Sequence, residues 1–345
     1  MDVACETWEN PAASACNPAA VVVSVAIPFY KVDVCDLAQM LVTQSRDMAA
    51  SVELLFADDG SGNEEHANRL RSVLSSGATI ACCLLSPAKN IGRAAIRNAL
   101  LRRSRGQYVL FLDSDMSPDS GTFMADYFAL ASRCAADVIV GGSSYKQIRR
   151  VPRAQRLYFY HSNRTQCVDL EQRRRDPLRY VFTNNVMLRR SILTEIEFDQ
   201  GYTGWGYEDT DWAFAAAERN ATVLHIDNTA THLGLIDDDR LIEKYRESVP
   251  NMTRLQRKFA QQSETLPIVR AARRLARLPL PFAALARLAE LLCRGSWLPV
   301  RVRYVFLQSF KLWLYAGALA GAPRPGAADS GTKPAGRDTG EPAGS

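Results

Sequence analysis

From residue 21 onward, apolar residues arrive in short unbroken blocks separated by stretches in which they recur at helical spacing. The blocks VVVSVAIPF (21–29), VELLFADDG (52–60), ATIACCLLS (78–86), QYVLFLDSD (107–115) and DVIVGG (137–142) predict strands buried on both faces. Residues 33–48, 63–75, 91–103 and 119–133 carry the helical pattern between them. Strands alternating with helices predict an α/β fold: a Rossmann-like, mainly parallel central sheet flanked by helices. Ligands of such sheets sit beyond the carboxyl ends of the strands. The acids of 58–59 and 113–115 both fall there.

Outside this region the pattern changes. Residues 1–20, rich in Ala, Pro, Ser and Asn, are expected to be a disordered leader, and the Gly- and Pro-rich residues 322–345 a disordered tail. A chain of 345 residues that is 47% hydrophobic can bury one large catalytic domain, or two lobes sharing a cleft. The formal charge of +5 is unevenly placed. Residues 266–321 hold nine basic groups against Glu290 alone, so residues 1–265 are slightly acidic. That distribution, with no recognition module for it, argues against nucleic acid as a partner. The N-terminal MDVACETWEN has acids where a signal peptide needs positive charge, and the eight cysteines form no C-x-x-C pair. Reduced thiols and a cytoplasmic location are the expectation.

Three acidic stretches carry candidate chemistry. Asp113-Ser114-Asp115 ends a very apolar strand. Two carboxylates so placed can reach one Mg²⁺ or Mn²⁺ whose other positions are filled by phosphate and water, or they can simply close a polar turn. Asp58-Asp59-Gly60-Ser61 is either a turn or a carboxylate positioned for an imide N–H of a base. In GYTGWGYEDTDWAF (201–214), glycines surround Trp205, and Glu208, Asp209 and Asp211 open a helix. One reading is a well-capped helix with a packing tryptophan. The other is a sugar site, with an exposed indole face for the ring and a carboxylate as general base. His232 is a possible further metal ligand, with His225 a nearby competitor.

In this order and spacing, these stretches resemble family 2 of the inverting glycosyltransferases, which have the GT-A fold; the likeness covers roughly residues 21–240. By that resemblance residues 21–140 are the nucleotide-binding half and 141–240 the acceptor half. IPFYK (27–31) resembles the opening strand and turn, with Pro28 and Tyr30 against the base, and FADDGSGN (56–63) makes Asp59 the uracil partner. KNIGRAAIRNALL (89–101) is similar to the family's N-x-G-x-x-x-A-R-N stretch, placing Arg93 and Asn98 on the donor side, with Ile96 at a usually small position. FLDSDMSP (111–118) resembles the D-x-D segment: Asp115 on the metal, Asp113 on ribose or metal, Ser114 beside the donor. TNNVMLRR (183–190) resembles the donor-sugar segment containing Asn185, though Thr183 and Asn184 stand where glycines are usual.

GWGYEDTDWAF resembles the W-G-x-E-D loop of chondroitin-polymerase modules and of the galactosyltransferase C-terminal lobe. It implies Trp205 and Glu208 as acceptor-binding residues, Asp209 as catalytic base and His232 as the extra metal ligand. The activity so implied is inverting transfer from a nucleoside diphosphate sugar, expected to be a UDP-sugar, to a hydroxyl of a glycan or lipid-linked acceptor with Mn²⁺ or Mg²⁺, in polysaccharide biosynthesis. The rivals are a non-catalytic nucleotide-sugar-binding protein and a nucleotidyltransferase. The latter usually needs a glycine- and basic-rich triphosphate loop, and none is found.

Two basic regions complete the reading. Lys146, Arg149, Arg150, Arg153 and Arg156, with Arg173 to Arg175, form either a solvated face or a mobile lid. Residues 241–321 are expected to be a basic helical region: arginines interleaved with Leu, Phe, Trp297 and Trp313 suit an anionic membrane surface, the alternative being a helical cap on the catalytic domain. Its last run, 304–321, has Lys311 near the middle, so the expectation is a helix lying on the inner face of the cytoplasmic membrane rather than crossing it.

Overall fold

The computed structural model describes residues 5–321. Its strands are β1 (Cys5–Glu9), β2 (Val23–Phe29), β3 (Val52–Asp58), β4 (Ala81–Pro87), β5 (Tyr108–Leu112), β6 (Met116–Pro118), β7 (Val138–Val140), β8 (Ser143–Ser144), β9 (Asn185–Arg189), β10 (Val223–His225) and β11 (Ala230–His232). The helices of the first half are α1 (Pro11–Ala15), α2 (Cys35–Gln44), α3 (Glu64–Ser76), α4 (Arg93–Arg103) and α5 (Phe123–Arg133). They are followed by α6 (Arg156–Thr165), α7 (Leu170–Arg175), α8 (Arg190–Glu195), α9 (Glu208–Glu218), α10 (Asp238–Lys258), α11 (Pro267–Leu275), α12 (Phe282–Arg294) and α13 (Val300–Ala320).

The main sheet has the order β1-β4-β3-β2-β5-β9-β7-β10. Strands β4, β3, β2 and β5 pair in parallel, as do β7 and β10, while β9 runs antiparallel between β5 and β7. The expected mainly parallel α/β sheet is what forms. Its strands read as unbroken apolar blocks because alternate residues enter different cores. Val25, Ile27, Leu54, Phe56 and Cys82 pack on the α2, α3 and α5 side. Ala26, Leu55, Ala57, Cys83 and Phe111 pack on the α4 and α9 side. The adjacent Cys82 and Cys83 are therefore core residues of opposite faces.

Residues 5–20 depart from the expected disordered leader. Strand β1 pairs antiparallel with β4 from Cys5↔Pro87 to Glu9↔Cys83. Asn10 then accepts the Ala13 N–H (3.0 Å) to cap α1 and donates its amide to the Ile80 carbonyl (2.8 Å). Composition hides this because an edge strand is held by backbone hydrogen bonds and needs no apolar pattern. The tail expectation for 322–345 lies outside the described residues.

A second sheet, β6-β11-β8, decides the site geometry. The chain leaves Asp115 directly into β6, and Met116 pairs with His232 of β11. Asp119 pins this small sheet by accepting hydrogen bonds from Ser144, Thr229 and Thr231 (2.6 Å each). Of the central basic cluster, Arg173 is no lid. It is buried, donating to the carbonyls of Val140 (3.3 Å) and Ile226 (3.0 Å), and it fills the space that a Cβ on Gly142 would need.

Helix α13 packs against α6, α10, α11 and α12. One tie is a buried ion pair: Arg303 Nη1 donates to Asp238 Oδ2 (2.8 Å), whose Oδ1 takes the Leu157 (2.9 Å) and Tyr158 (3.0 Å) N–H groups. Burial outweighs these partners and holds the Asp238 carboxyl above its ordinary range, so the pair sets geometry rather than adding net stability. Breaking it is another matter. Arg303→Met strands a buried carboxylate and is expected to cost about 3–5 kcal/mol, measured as a fall in unfolding free energy by urea titration. An unchanged midpoint would show that the pair does not anchor α13.

Candidate active site

The C-terminal ends of β2, β3 and β5 open onto a cavity of about 690 Å³ lined by Pro28, Tyr30, Asp59, Arg93, Asp113, Ser114, Asp115 and Glu208. Asp59 accepts the N–H groups of Ile91 (2.7 Å) and Gly92 (3.1 Å), fixing the loop that starts α4. Burial still raises its carboxyl above the ordinary range. Gly60 takes φ +74, and a Cβ there would lie 2.4 Å from the Lys89 backbone, so the turn needs glycine for this close approach.

A second cavity of about 430 Å³ adjoins the first, sharing Arg93, Arg97, Asp113, Asp115 and Glu208 with it. Thr183, Asn184, Trp205, Asp209 and His232 line it. Between the two lies a charge network. Buried Arg97 donates to Asp113 Oδ1 (2.9 Å), and Arg93 faces Glu208 at 3.5 Å. Sequence reasoning does not single out Arg97, although its i+4 spacing from Arg93 puts both on one face of α4.

Asp115 and His232 meet at 3.1 Å, Oδ2 to Nε2. Burial opposes ionisation of Asp115, but the hydrogen bond and charge of His232 outweigh it and keep the carboxyl below its usual range. The same contact raises the His232 imidazole against its own burial. Gly234 makes room: a Cβ there would lie 2.1 Å from Asp115 Oδ2. Tyr158 Oη lies 3.3 Å from His232 Nδ1, where it can orient the ring. Carboxylate plus imidazole, with an outer hydroxyl fixing the imidazole, fits a divalent cation of the Mn²⁺ or Mg²⁺ kind. Asp113, turned onto Arg97, stands apart from that pair. A separate trio, Asp33, Cys35 and His66, brings ligand-type atoms within 4.8 Å of one another. Two of its groups are engaged in the turn, Asp33 taking the Cys35 N–H (2.9 Å) and His66 that of Val34 (3.3 Å).

The loop before α9 holds the remaining acids. Gly204, Gly206 and Tyr207 all have positive φ (74°, 89° and 74°), and a tyrosine in that region marks stored strain. Asn251 of α10 secures the loop by donating to the carbonyls of Thr203 (2.9 Å), Gly206 (3.0 Å) and Trp205 (3.3 Å). Trp205 is half-buried rather than exposed, edge-on to Tyr245 at 5.2 Å. Asp209 accepts a hydrogen bond from Thr183 Oγ1 (2.7 Å) on Oδ1. Burial, then the neighbouring Glu208, raise its carboxyl to about 7 despite Arg97. Such a group is poised as a general base near neutral pH.

Two residues expected on the donor side are buried and line neither cavity. Asn98 is fully buried, exchanging hydrogen bonds with the Phe198 backbone (both 2.9 Å) to latch α4 to the segment after α8. Asn185 is likewise buried, donating to Gly142 (2.8 Å) and Asn228 (2.9 Å) carbonyls and accepting from Tyr127 (2.8 Å). Its neighbours Thr183 and Asn184 face the cavity instead. His225 is also structural, its Nε2 2.9 Å from the Pro177 carbonyl.

The sequence model of glycosyl transferase family 2 matches residues 24–197, half of the chain. The chain belongs to glycosyl transferase family 2. Two rhizobial proteins named N-acetylglucosaminyltransferase, from Bradyrhizobium elkanii and Bradyrhizobium sp. (strain ANU 289), are each 31% identical over 94 residues. That stretch covers 27% of this chain and 50% and 60% of theirs, so the chain spans about half the length of the curated relatives it matches. Among solved structures, the mannosyltransferase PcManGT of Pyrobaculum calidifontis, in complex with GDP-Man and Mn²⁺, superposes with a TM-score of 0.53 at 15% identity, covering 86% of this chain and 85% of that one. This likeness establishes the shared fold.

The family 2 match ends before the W-G-x-E-D loop, and the lining of the second cavity extends later still, into α10 and α13. Lys244 and Tyr245 of α10 and Lys311 and Tyr315 of α13 line the second cavity. Helices α10 and α13, from the region read as a basic helical extension (241–321), thus supply part of the wall of this cavity. No local signal in this family 2 chain marks them, because their role comes from packing.

Proposed function

We propose that this glycosyltransferase moves a sugar from a UDP-sugar to a hydroxyl of a glycan or lipid-linked acceptor, with inversion, in polysaccharide biosynthesis. One observation carries the reading. Asp59, Asp115 and Asp209, from three distant stretches, line two adjoining cavities that share their central residues. Thr183 occupies Asp209 Oδ1 and leaves Oδ2 to take the proton of the acceptor hydroxyl. The acceptor oxygen then attacks the anomeric carbon opposite the diphosphate, whose C–O bond breaks with the electron pair leaving on the diphosphate. Asp115 and His232 would hold a Mn²⁺ or Mg²⁺ ion, which supplies charge neutralisation for the leaving group. Arg93, lining both cavities, adds positive charge beside the donor, while Trp205 and Glu208 orient the acceptor. A panel of nucleotide sugars with each metal, assayed for released nucleoside diphosphate with and without glycans, tests the reading. UDP bound but never released from any donor would favour a sugar-nucleotide sensor instead.

A peripheral position on the cytoplasmic face of the membrane belongs to the same proposal. No helix of the described residues is long and apolar enough to cross a membrane. Helices α12 and α13 and the turn between them nonetheless expose Leu288, Leu291 (69%), Trp297 (76%), Val302 and Val305. Arg287 and Arg301, exposed beside them, have no ion-pair partner among the described residues. An apolar stripe flanked by free arginines complements an anionic bilayer. The protein is expected to float with vesicles containing phosphatidylglycerol and not with neutral ones. Arg287→Glu with Arg301→Glu should lower that partitioning by about 30-fold or more, two surface arginines being worth about 1 kcal/mol each. Equal partitioning of wild type onto both vesicle types would rule the surface out.

A further inference from the structure

The far wall of the second cavity carries positive charge that the protein itself does not use. Of the cations around this cavity, Arg97 is spent on Asp113 (2.9 Å) and Arg93 faces Glu208 (3.5 Å). Lys244 and Lys311 have neither a hydrogen bond nor an ion pair with any described residue. Each lies near an aromatic ring instead: Lys311 Nζ is 4.2 Å from the Tyr245 centroid and Lys244 Nζ 5.8 Å from that of Trp205. Trp205 in turn meets Tyr245 at 5.2 Å, so the four side chains form one continuous array. Beside it, His161 gives Nε2 to the Tyr245 hydroxyl (2.5 Å) and leaves Nδ1 buried without a partner.

An ammonium group has three donors, and leaving all of them unmet in a half-buried site is costly. Burial accordingly lowers both lysines, Lys311 to about 7, where a bound anion would restore its charge. An indole edge next to two unpaired ammonium groups suits a sugar ring that bears a negative substituent.

We propose that the acceptor is an anionic saccharide, its carboxylate or phosphate held by Lys244 and Lys311 while its ring lies along Trp205 and its reacting hydroxyl reaches Asp209. Calling this occupant the acceptor rests on the transferase reading above. Lys311 and Lys244 are then specificity residues that choose charged over neutral acceptors.

Calorimetric titration of the full chain, saturated with UDP and Mn²⁺, tests this with three probes: methyl β-D-glucuronide, glucose 6-phosphate and neutral methyl β-D-glucoside. Wild type should bind one or both anionic probes more tightly than the neutral one, and the two identify which anion is preferred. Lys311→Met and Lys244→Met should each weaken that binding by about tenfold or more, the value of a charge-assisted hydrogen bond, and leave UDP affinity unaltered. Lys244, nearer the loop, keeps the test open should Lys311→Met melt early. Equal or absent binding of charged and neutral probes overturns the proposal. So does a loss of UDP affinity in the lysine variants with saccharide binding intact, because the lysines would then serve the diphosphate. A wild type that binds no UDP at all would instead strike at the transferase reading itself.

Discussion

Asp209→Asn is expected to lower kcat by about 10²–10⁴-fold, the usual contribution of a general base, with the affinity for UDP and Mn²⁺ intact. Asparagine keeps the shape and can still accept the Thr183 hydrogen bond that now measures 2.7 Å, so the change removes the base and little else. The pH dependence sharpens the test. A carboxyl raised to about 7 by burial and by Glu208 is protonated below that pH and cannot take a proton. The rate of wild type should therefore fall about tenfold per pH unit on the acid side of the apparent pKa. A cation at Asp115 would shift that limb toward lower pH. In the asparagine variant the acid limb should vanish from the residual rate. Wild-type turnover in that variant, or loss of UDP binding with turnover kept, would remove Asp209 from the base role.

Asp115→Ala is expected to abolish the dependence of nucleotide binding on metal. The carboxylate that meets His232 at 3.1 Å is held ionised by that contact, and its removal leaves the imidazole alone. Charge stabilisation by a bound cation is worth several kcal/mol, so UDP affinity should fall at least about 100-fold. His232→Ala should lie between the variant and wild type, since the carboxylate remains. Titrating UDP into each protein with Mn²⁺ and again with chelator measures this directly. An affinity indifferent to chelator in wild type would mean that the pair serves only to join β6 to β11.

Much of the site is legible in the chain's own pattern. The acids at 58–59 and 113–115 stand out because a strand terminus is a local feature, and apolar blocks show where strands end. The same local logic fails for Asn98 and Asn185. Both sit within apparently functional stretches, yet their carboxamides satisfy buried backbone groups, and nothing in the surrounding residues distinguishes a ligand contact from a backbone latch. Arg97 is the arginine of the N-x-G-x-x-x-A-R-N stretch, yet only the structure shows it buried against Asp113. Residues 5–20 mislead because pairing along β4 depends on a vacant sheet edge rather than on composition.

Hydrophobic periodicity by itself indicated the mainly parallel sheet and put the acids at 58–59 and 113–115 at strand ends, since each depends on residues a few positions apart. Tertiary structure alone decided the rest. It brought His232 to Asp115 across 117 residues through the pairing of β6 with β11. It also folded α10 and α13 back so that Lys244, Tyr245 and Lys311 close the second cavity. Which face of a distant helix turns inward is set by the surface it packs against, and no local pattern of residues encodes that surface.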